Sequence, residues 1–326
     1  MRSLGHLLGR TPTWVGFLGR HLVGTVGVLI ATSVASYALI LLAPGDAARS
    51  LAVGRAGPGV TEEQVAAIRA QLSLDDPGYV QYARWLGDAL TGDLGLSVRT
   101  GQSITGDLLE RLPTTLFLAL GAGAIALVVG VCTGAAGAVV RRAGWRSVLR
   151  LGALLGVSVP SFWLSYLLIL VLTESLGLLP TSGQRGPGSW IMPWIVLALP
   201  VAGVLSRVVT VSLREALDQP YVVAAQARGS NPWSIVARDG LTGAAGSILS
   251  VSGLLLGLLV SGTLIVEQIF AWPGIGAYFI AAASFRDIPA LQAAVLVFAI
   301  GFVTMNRLAD LVHGLVDPRL RLPATG

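Results

Sequence analysis

Leu22–Ala43, Thr114–Val140 and Leu151–Leu172 each run without a single charged residue. A bilayer's hydrocarbon core is ~30 Å thick and takes about 20 helical residues to cross. Each run is long enough to do so. No water inside the core satisfies a backbone N–H or C=O, so such runs read as helices. Three more apolar segments, Pro193–Thr210, Ser247–Ile269 and Ala290–Val312, carry one or two ionisable residues apiece. The sequence therefore predicts an all-α, six-span membrane protein. Charged residues make up 12% of the chain and mean hydropathy is +0.75, against roughly 25% charged in soluble proteins.

The arginines orient these spans. Arg141, Arg142, Arg146 and Arg150 follow the second span with no acid between them, and residues 1–20 hold Arg2, Arg10 and Arg20 with no acid. Loops rich in Lys and Arg stay cytoplasmic, which predicts both termini in the cytoplasm. The net charge of +5 then reflects these loops rather than nucleic-acid binding. Leu22–Ala43 is longer than the apolar core of a cleaved signal peptide, roughly 7–15 residues, so it reads as a retained span.

Chemistry is sparse. All 22 basic residues are arginine, so a G-x-x-x-x-G-K-[ST] phosphate loop is impossible. If ATP drives this protein, another chain binds it. Cys132 is the one cysteine, and His6, His21 and His313 are scattered, so no metal-ligand spacing arises. No G-x-S-x-G elbow occurs. These features point to a conduit rather than an enzyme, with no cofactor. Glu174, Arg207, Glu267, Arg286, Asp287, Arg307 and Asp310 lie near predicted span ends, where snorkelling to water is expected. Arg307 and Asp310 sit i, i+3 and should pair locally.

Residues 44–113 hold six arginines and nine acids and are expected to form a small external helical insertion. Thr61–Gln64 resembles a capping box opening a helix through Leu72. Asp76-Pro77 opens a second, with Tyr79, Tyr82, Ala83 and Leu86 on one face and Trp85 at headgroup level. A third runs from about Ser103 into the second span. The insertion is either a lid over the membrane part or a docking surface for a substrate-delivering protein. Pro160 should kink the third span. Gly130 and Gly134, and Gly253 and Gly257, give small-x-x-x-small spacings for close helix packing. Phe270–Pro289 is expected as an external loop, and Trp190, Trp194 and Trp272 as interfacial aromatics. No internal repeat is evident, which counts against secondary transporters built from inverted halves.

The longest interruption on the arginine-rich side is Arg214–Gly246. Pro220 suits a first helical position, and Gly229 suits the left-handed residue that ends a helix. Asn231-Pro232 restarts one by the same logic. Between them lies a short Ala-rich helix with Tyr221, Ala224, Ala225 and Arg228 at i, i+3, i+4, i+7. It is either a loop helix lying on its own protein or a surface that admits another protein closely.

Val223-Ala224-Ala225 followed by Gly229 resembles the EAA loop of bacterial ABC importer permeases. The rest of the chain is similar from end to end to one branch, the dipeptide/oligopeptide/nickel type, and within it to the first (B-type) permease subunit. Leu41-Leu42-Ala43-Pro44-Gly45-Asp46 matches the exit from its first span, and Leu72–Gly95 with Ser97 its external signature. Arg111–Leu116, Ser158–Leu164 and Leu178–Gly183 follow in order. Val266–Phe270, Trp272–Gly276, Arg286–Pro289 and Asp317-Pro318-Arg319 complete the series.

The resemblance implies domains at 1–43 (N-terminus and first span), 44–113 (external insertion) and 114–326 (five-helix core with coupling helix 220–229). It implies residence in the bacterial plasma (inner) membrane, a C-type permease partner, two ABC ATPase subunits and an external solute-binding protein. The solute would be a di- or oligopeptide, with nickel or another small solute as the alternative. Glu215, Tyr221, Ala224, Ala225, Arg228 and Gly229 become the ATPase-coupling candidates; substrate-binding residues are not identified. The loop departs from the family at Pro220, Val223, Gln226, Gly243 and Ser247, which keeps a weakly coupled or regulatory paralogue open.

Overall fold

The computed structural model describes residues 13–42, 48–49, 52–53, 57, 59–71, 75–184, 186, 188–231 and 234–316. The N-terminal arginines Arg2 and Arg10, the segment 43–46, Leu72, Pro232 and the tail Asp317-Pro318-Arg319 lie outside them. Among the described residues there is no β-strand, only an isolated bridge between Leu96 and Ser103.

In chain order the helices are α1 (Thr13–Leu42), α2 (Glu62–Gln71), α3 (Gly78–Leu90), α4 (Ile104–Val139), α5 (Ala143–Ser158) and α6 (Ser161–Leu168). A π-helical stretch, Ile169–Ser175, extends α6. Then come α7 (Ile191–Leu217), α8 (Pro220–Ala227), α9 (Leu241–Ile269, entered through a π-helical turn Ile235–Gly240), α10 (Ile275–Ser284) and α11 (Ile288–Val316). Among the described residues, four helices are long and apolar enough to cross a membrane: α4, α7, Ile235–Ile269 and Ile288–Leu311. The α5–α6 pair adds a fifth if its two arms form one span.

That pair departs from the expected kink. It is bent by 102° at the break. Val159 is extended (φ −78°, ψ 122°) and Pro160 stands as the residue before α6 rather than inside a helix. A residue preceding proline is pushed out of the α region, and proline has no N–H to continue the ladder. The break is therefore complete.

Contacts give each helix its direction. Moving along α4, a β-carbon at Gly130 would meet Leu205, and one at Gly134 would meet Val209 at 2.6 Å. Arg214 then donates to Gly137 O at 2.7 Å. So α4 and α7 run parallel, so close that only glycine fits at the crossing. Gly253 against Ala309 and Gly257 against Asn306 bring α9 and α11 together in antiparallel fashion. Leu118, Ala122, Val196, Leu205, Leu259 and Phe270 belong to the central core. One end of the bundle thus collects the C-terminal ends of α4 and α7, all of α8 and the start of α9. The other collects the insertion, the start of α4, α10 and the start of α11.

Two insertion helices form as predicted. Gln64 N donates to Thr61 Oγ1 while Thr61 N donates to Gln64 Oε1 at 3.0 Å, the reciprocal bonds of a capping box. Ser103 accepts from Gly106 N at the start of α4, and α4 runs on through Pro113. The packed face of α3 differs from the prediction. Tyr79 and Ala83 are exposed, while Tyr82 packs edge-on and Trp85 tilted against Tyr37 of α1, with ring centroids 5.5 and 5.7 Å away. Tyr82 Oη also bonds Ser33 at 2.8 Å. The partner helix, not the amphipathic period alone, chose that face.

Candidate coupling surface and its buried counterpart

Pro220 opens α8, and Val222 N and Val223 N both donate to Gln219 O. Gly229 closes it at φ +80°. Ser230 N donates to Ala225 O and Arg228 N to Ala224 O. The 6→1 bond beyond a left-handed glycine is the Schellman termination. Asn231 O then accepts from Ile235 N at the turn that leads into α9.

One side of α8 faces its own chain. Val222 is fully buried and Ala225 nearly so, seated against α7 and the π-helical turn 235–240. The opposite side is open. Tyr221, Val223, Ala224, Ala227 and Arg228 are exposed. Of the predicted i, i+3, i+4, i+7 set, Tyr221, Ala224 and Arg228 share the open side, and Ala225 forms part of its floor. Tyr221 borders a cleft of about 310 Å³ that Glu215, Gln219, Gly243 and Ser247 also line. A β-carbon at position 243 would lie 3.0 Å from Tyr221 Oη. The glycine here leaves room for the tyrosine hydroxyl. Glu215 and Arg228 make no ion pair with each other, and both are exposed. The arrangement offers one aromatic hydroxyl, one acid and one base around a small-residue surface. That suits a protein partner rather than a chemical step.

The opposite end differs from the sequence expectation. Phe270–Pro289 is no plain loop: it contains α10, whose Ile275, Tyr278 and Ala282 pack with Ile104, Leu108 and Ala294. Glu267 does not snorkel; its exposure is 0%. Its carboxylate accepts from Thr115 Oγ1 at 2.8 Å, Gly276 N at 2.8 Å and Ala277 N at 3.1 Å. It thereby satisfies the first N–H groups of α10, where a helix dipole favours an acid. Thr115 Oγ1 in turn accepts from Ile275 N. A β-carbon at Gly276 would lie 2.4 Å from Leu264 Cα, so the close approach of α10 to α9 needs glycine there.

Asp287 repeats the device. It is 2% exposed, accepts from Ala290 N at the start of α11, and also accepts from Ser97 Oγ, Val98 N and Arg99 N of the insertion. The turns on either side of α10 hold Ala271 and Arg286 at φ 49° and 56°. Non-glycine residues avoid this region, which costs roughly 1–3 kcal/mol unless neighbours enforce it. Trp272, expected at headgroup level, is buried and stacks on Phe117. The signal that could have located this anchor is an acid a few residues before Trp272-Pro273-Gly274-Ile275-Gly276. Glycines flanking a helix start would let that carboxylate reach the N–H groups. As expected, Arg307 pairs with Asp310 at 3.2 Å. It also donates to Thr25 of α1.

Residues 109–322 match the family described as the binding-protein-dependent transport system inner membrane component. Residues 14–119 match its N-terminal membrane component. A protein of Brucella abortus (strain 2308) named as a peptide transport system permease is 35% identical over 310 residues, covering 93% of this chain and 98% of that one. The glutathione transport system permease protein GsiC of Escherichia coli (strain K12) is 31% identical over 308 residues, 94% of this chain and 99% of that one. The solved MetNI methionine ABC transporter, in inward-facing conformations, superposes with a TM-score of 0.53 at 18% identity. It covers 65% of this chain and 96% of the matched chain, a likeness of fold.

Proposed function

The chain belongs to the family of binding-protein-dependent transport system inner membrane components, and on that premise we propose that it is a peptide-importing permease subunit. It is a multi-pass membrane protein that works with other ABC components and leaves ATP hydrolysis to them. Its substrates are di- or oligopeptides. Peptide and glutathione permeases, matched over nearly their whole length, support this class. Its partners are a second, C-type permease, two ATPase subunits and an external solute-binding protein.

The topology follows from the same reading. Six spans comprise α1, α4, the bent α5–α6 pair, α7, α9 and α11, with residues 44–113 outside and both termini in the cytoplasm. Residues 1–43, 44–113 and 114–326 form the three domains. The α8 end faces the cytoplasm, where its excess of arginine belongs.

One observation carries the mechanism: a short helix, proline-started and glycine-stopped, that buries Val222 while exposing Tyr221, Ala224 and Arg228. Exposed Ala224 lets an ATPase groove approach closely. Ala225 floors the helix against its own bundle, so a push on α8 reaches α7 and α9. Gly229 sets the sharp exit. Tyr221, Glu215 and Arg228 supply the polar contacts. ATP-driven closure of the ATPases then biases a two-state pore between inward- and outward-facing forms.

The test is ATP hydrolysis by the complex co-purified with the genetically adjacent permease and ATPase subunits, with and without binding protein and a dipeptide mixture. Wild type should be stimulated, and Ala224→Glu should lose stimulation while remaining folded. Failure of any ATPase to associate with the wild-type chain would sink the reading.

A further inference from the structure

Four arginines from two helices converge on one pocket at the α8 end. Arg146 and Arg150 come from the first half of α5, Arg207 and Arg214 from the second half of α7, and α4 closes the third side. The pocket encloses about 240 Å³. Among the described residues no carboxylate lies within ion-pair distance of any of the four.

Two of the four are held in place by the end of α4. Arg214 Nη2 donates to Gly137 O, and Arg146 Nη2 donates to the carbonyls of Val140 and Arg141. Gly137 O is one of the carbonyls that the C-terminus of α4 leaves without an intrahelical donor, and Val140 and Arg141 belong to the turn that follows. Arg150 and Arg207 have no acceptor among the described residues. Of the pocket hydroxyls, Thr133 bonds Val129 O and Ser206 Oγ, and Thr210 bonds the carbonyls of Gly134 and Ser206. The charged donors facing the pocket are the guanidinium N–H groups. Their planar forks match the oxygens of a phosphate or carboxylate.

The surroundings select between those anions. Trp145, Val148 and Leu151 stand exposed on α5 beside the arginines, and Val211 is exposed where α7 lines the pocket. Clustered cations next to exposed apolar side chains fit a ligand with a charged head and hydrocarbon tails. Arg141 and Arg142 lie in the same basic stretch but do not line the pocket, so a general arginine excess does not account for the convergence.

We propose that this pocket binds the phosphate headgroup of an anionic phospholipid. The inner leaflet as its source rests on the topology proposed above. Basic pockets between spans on that side are suited to such headgroups.

Binding is read by native mass spectrometry on the full-length chain, alone in detergent and in the assembled importer. The lipid result therefore stands whether or not an ATPase associates. The probes are phosphatidylglycerol, phosphatidylcholine, inorganic phosphate and a dipeptide with a free carboxylate. Phosphatidylglycerol adducts should survive desolvation and phosphatidylcholine adducts should not. Arg150→Gln with Arg207→Gln should weaken phosphatidylglycerol binding about tenfold or more. Arg141→Gln with Arg142→Gln, which removes the same charge outside the pocket, should weaken it far less. Arg150→Lys with Arg207→Lys keeps the charge but not the planar forks, and its binding should fall between wild type and the glutamine pair. Equal retention of the two lipids overturns the proposal, as does an equal loss in the two glutamine pairs. Tight inorganic phosphate binding without the lipid preference also overturns it. A dipeptide that displaces phosphatidylglycerol from this site would instead assign the pocket to the translocation path.

Discussion

The two ends of the bundle differ in whether they bury charge: among the described residues only the insertion end does. At the insertion end, Glu267 and Asp287 are buried and accept from helix N-termini and from a second segment, Thr115 in one case and residues 97–99 in the other. At the α8 end, Glu215, Arg228, Arg150 and Arg207 are exposed, with no ion-pair partner among the described residues. A buried carboxylate that accepts from several donors locks the elements it joins, because moving any one of them leaves a polar group orphaned in a low-dielectric interior. An exposed charge imposes no such constraint and is free to meet a partner. The contrast divides the molecule into an end held by its own residues and an end left for other molecules.

Removing Glu267 should break this contrast most severely. Glu267→Ala orphans Gly276 N, Ala277 N and Thr115 Oγ1, a loss of about 3 kcal/mol or more. The expected outcome is poor recovery of folded chain and a large drop in thermal stability, with Glu267→Gln intermediate; unchanged melting would refute the anchor. Asp287→Ala should follow, at about 2 kcal/mol. Its signature is local: faster amide hydrogen exchange at Val98 and Arg99 while the core around Leu205 stays protected. Gly229→Ala forces a Cβ into a left-handed conformation at φ +80°, at a cost of about 1 kcal/mol. It should leave the fold intact and reduce ATPase stimulation, whereas retained stimulation would mean the Schellman turn does not position α8. The smallest stability effect belongs to Ala224→Glu, with melting within about 0.5 kcal/mol of wild type and coupling lost. Loss of folding in this last variant would show that the exposed side of α8 is not free.

Much of this was legible in the linear chain because the signals are local. The capping box at Thr61–Gln64 and the limits of α8 depend on residues within a few positions of one another. So does the Arg307–Asp310 pair. The glycine pairs of α4 and α9 announced close packing, though not against which helix. The errors at the insertion end share one cause. α10 and the two buried acids lie next to span ends, where a period-based reading sees a polar turn and expects water. Burial there is decided by Thr115 and Ser97, more than 150 residues away along the chain. Likewise the basic stretch Arg141–Arg150 read as an orientation signal, and its convergence with Arg207 and Arg214 emerged only when α5 and α7 packed side by side.

By itself the sequence determined that the chain is helical and membrane-embedded, that it binds no nucleotide through a lysine loop, and that a short helix interrupts its arginine-rich side. Each of these follows from composition or from contacts along one helix. Tertiary structure alone decided which face of α8 is free, that Ala225 belongs to its floor, and that Glu267 and Asp287 are anchors. The same holds for the four arginines that share a pocket. Those outcomes depend on which distant backbone or side-chain groups fill a helix's unsatisfied positions, and no local pattern encodes that.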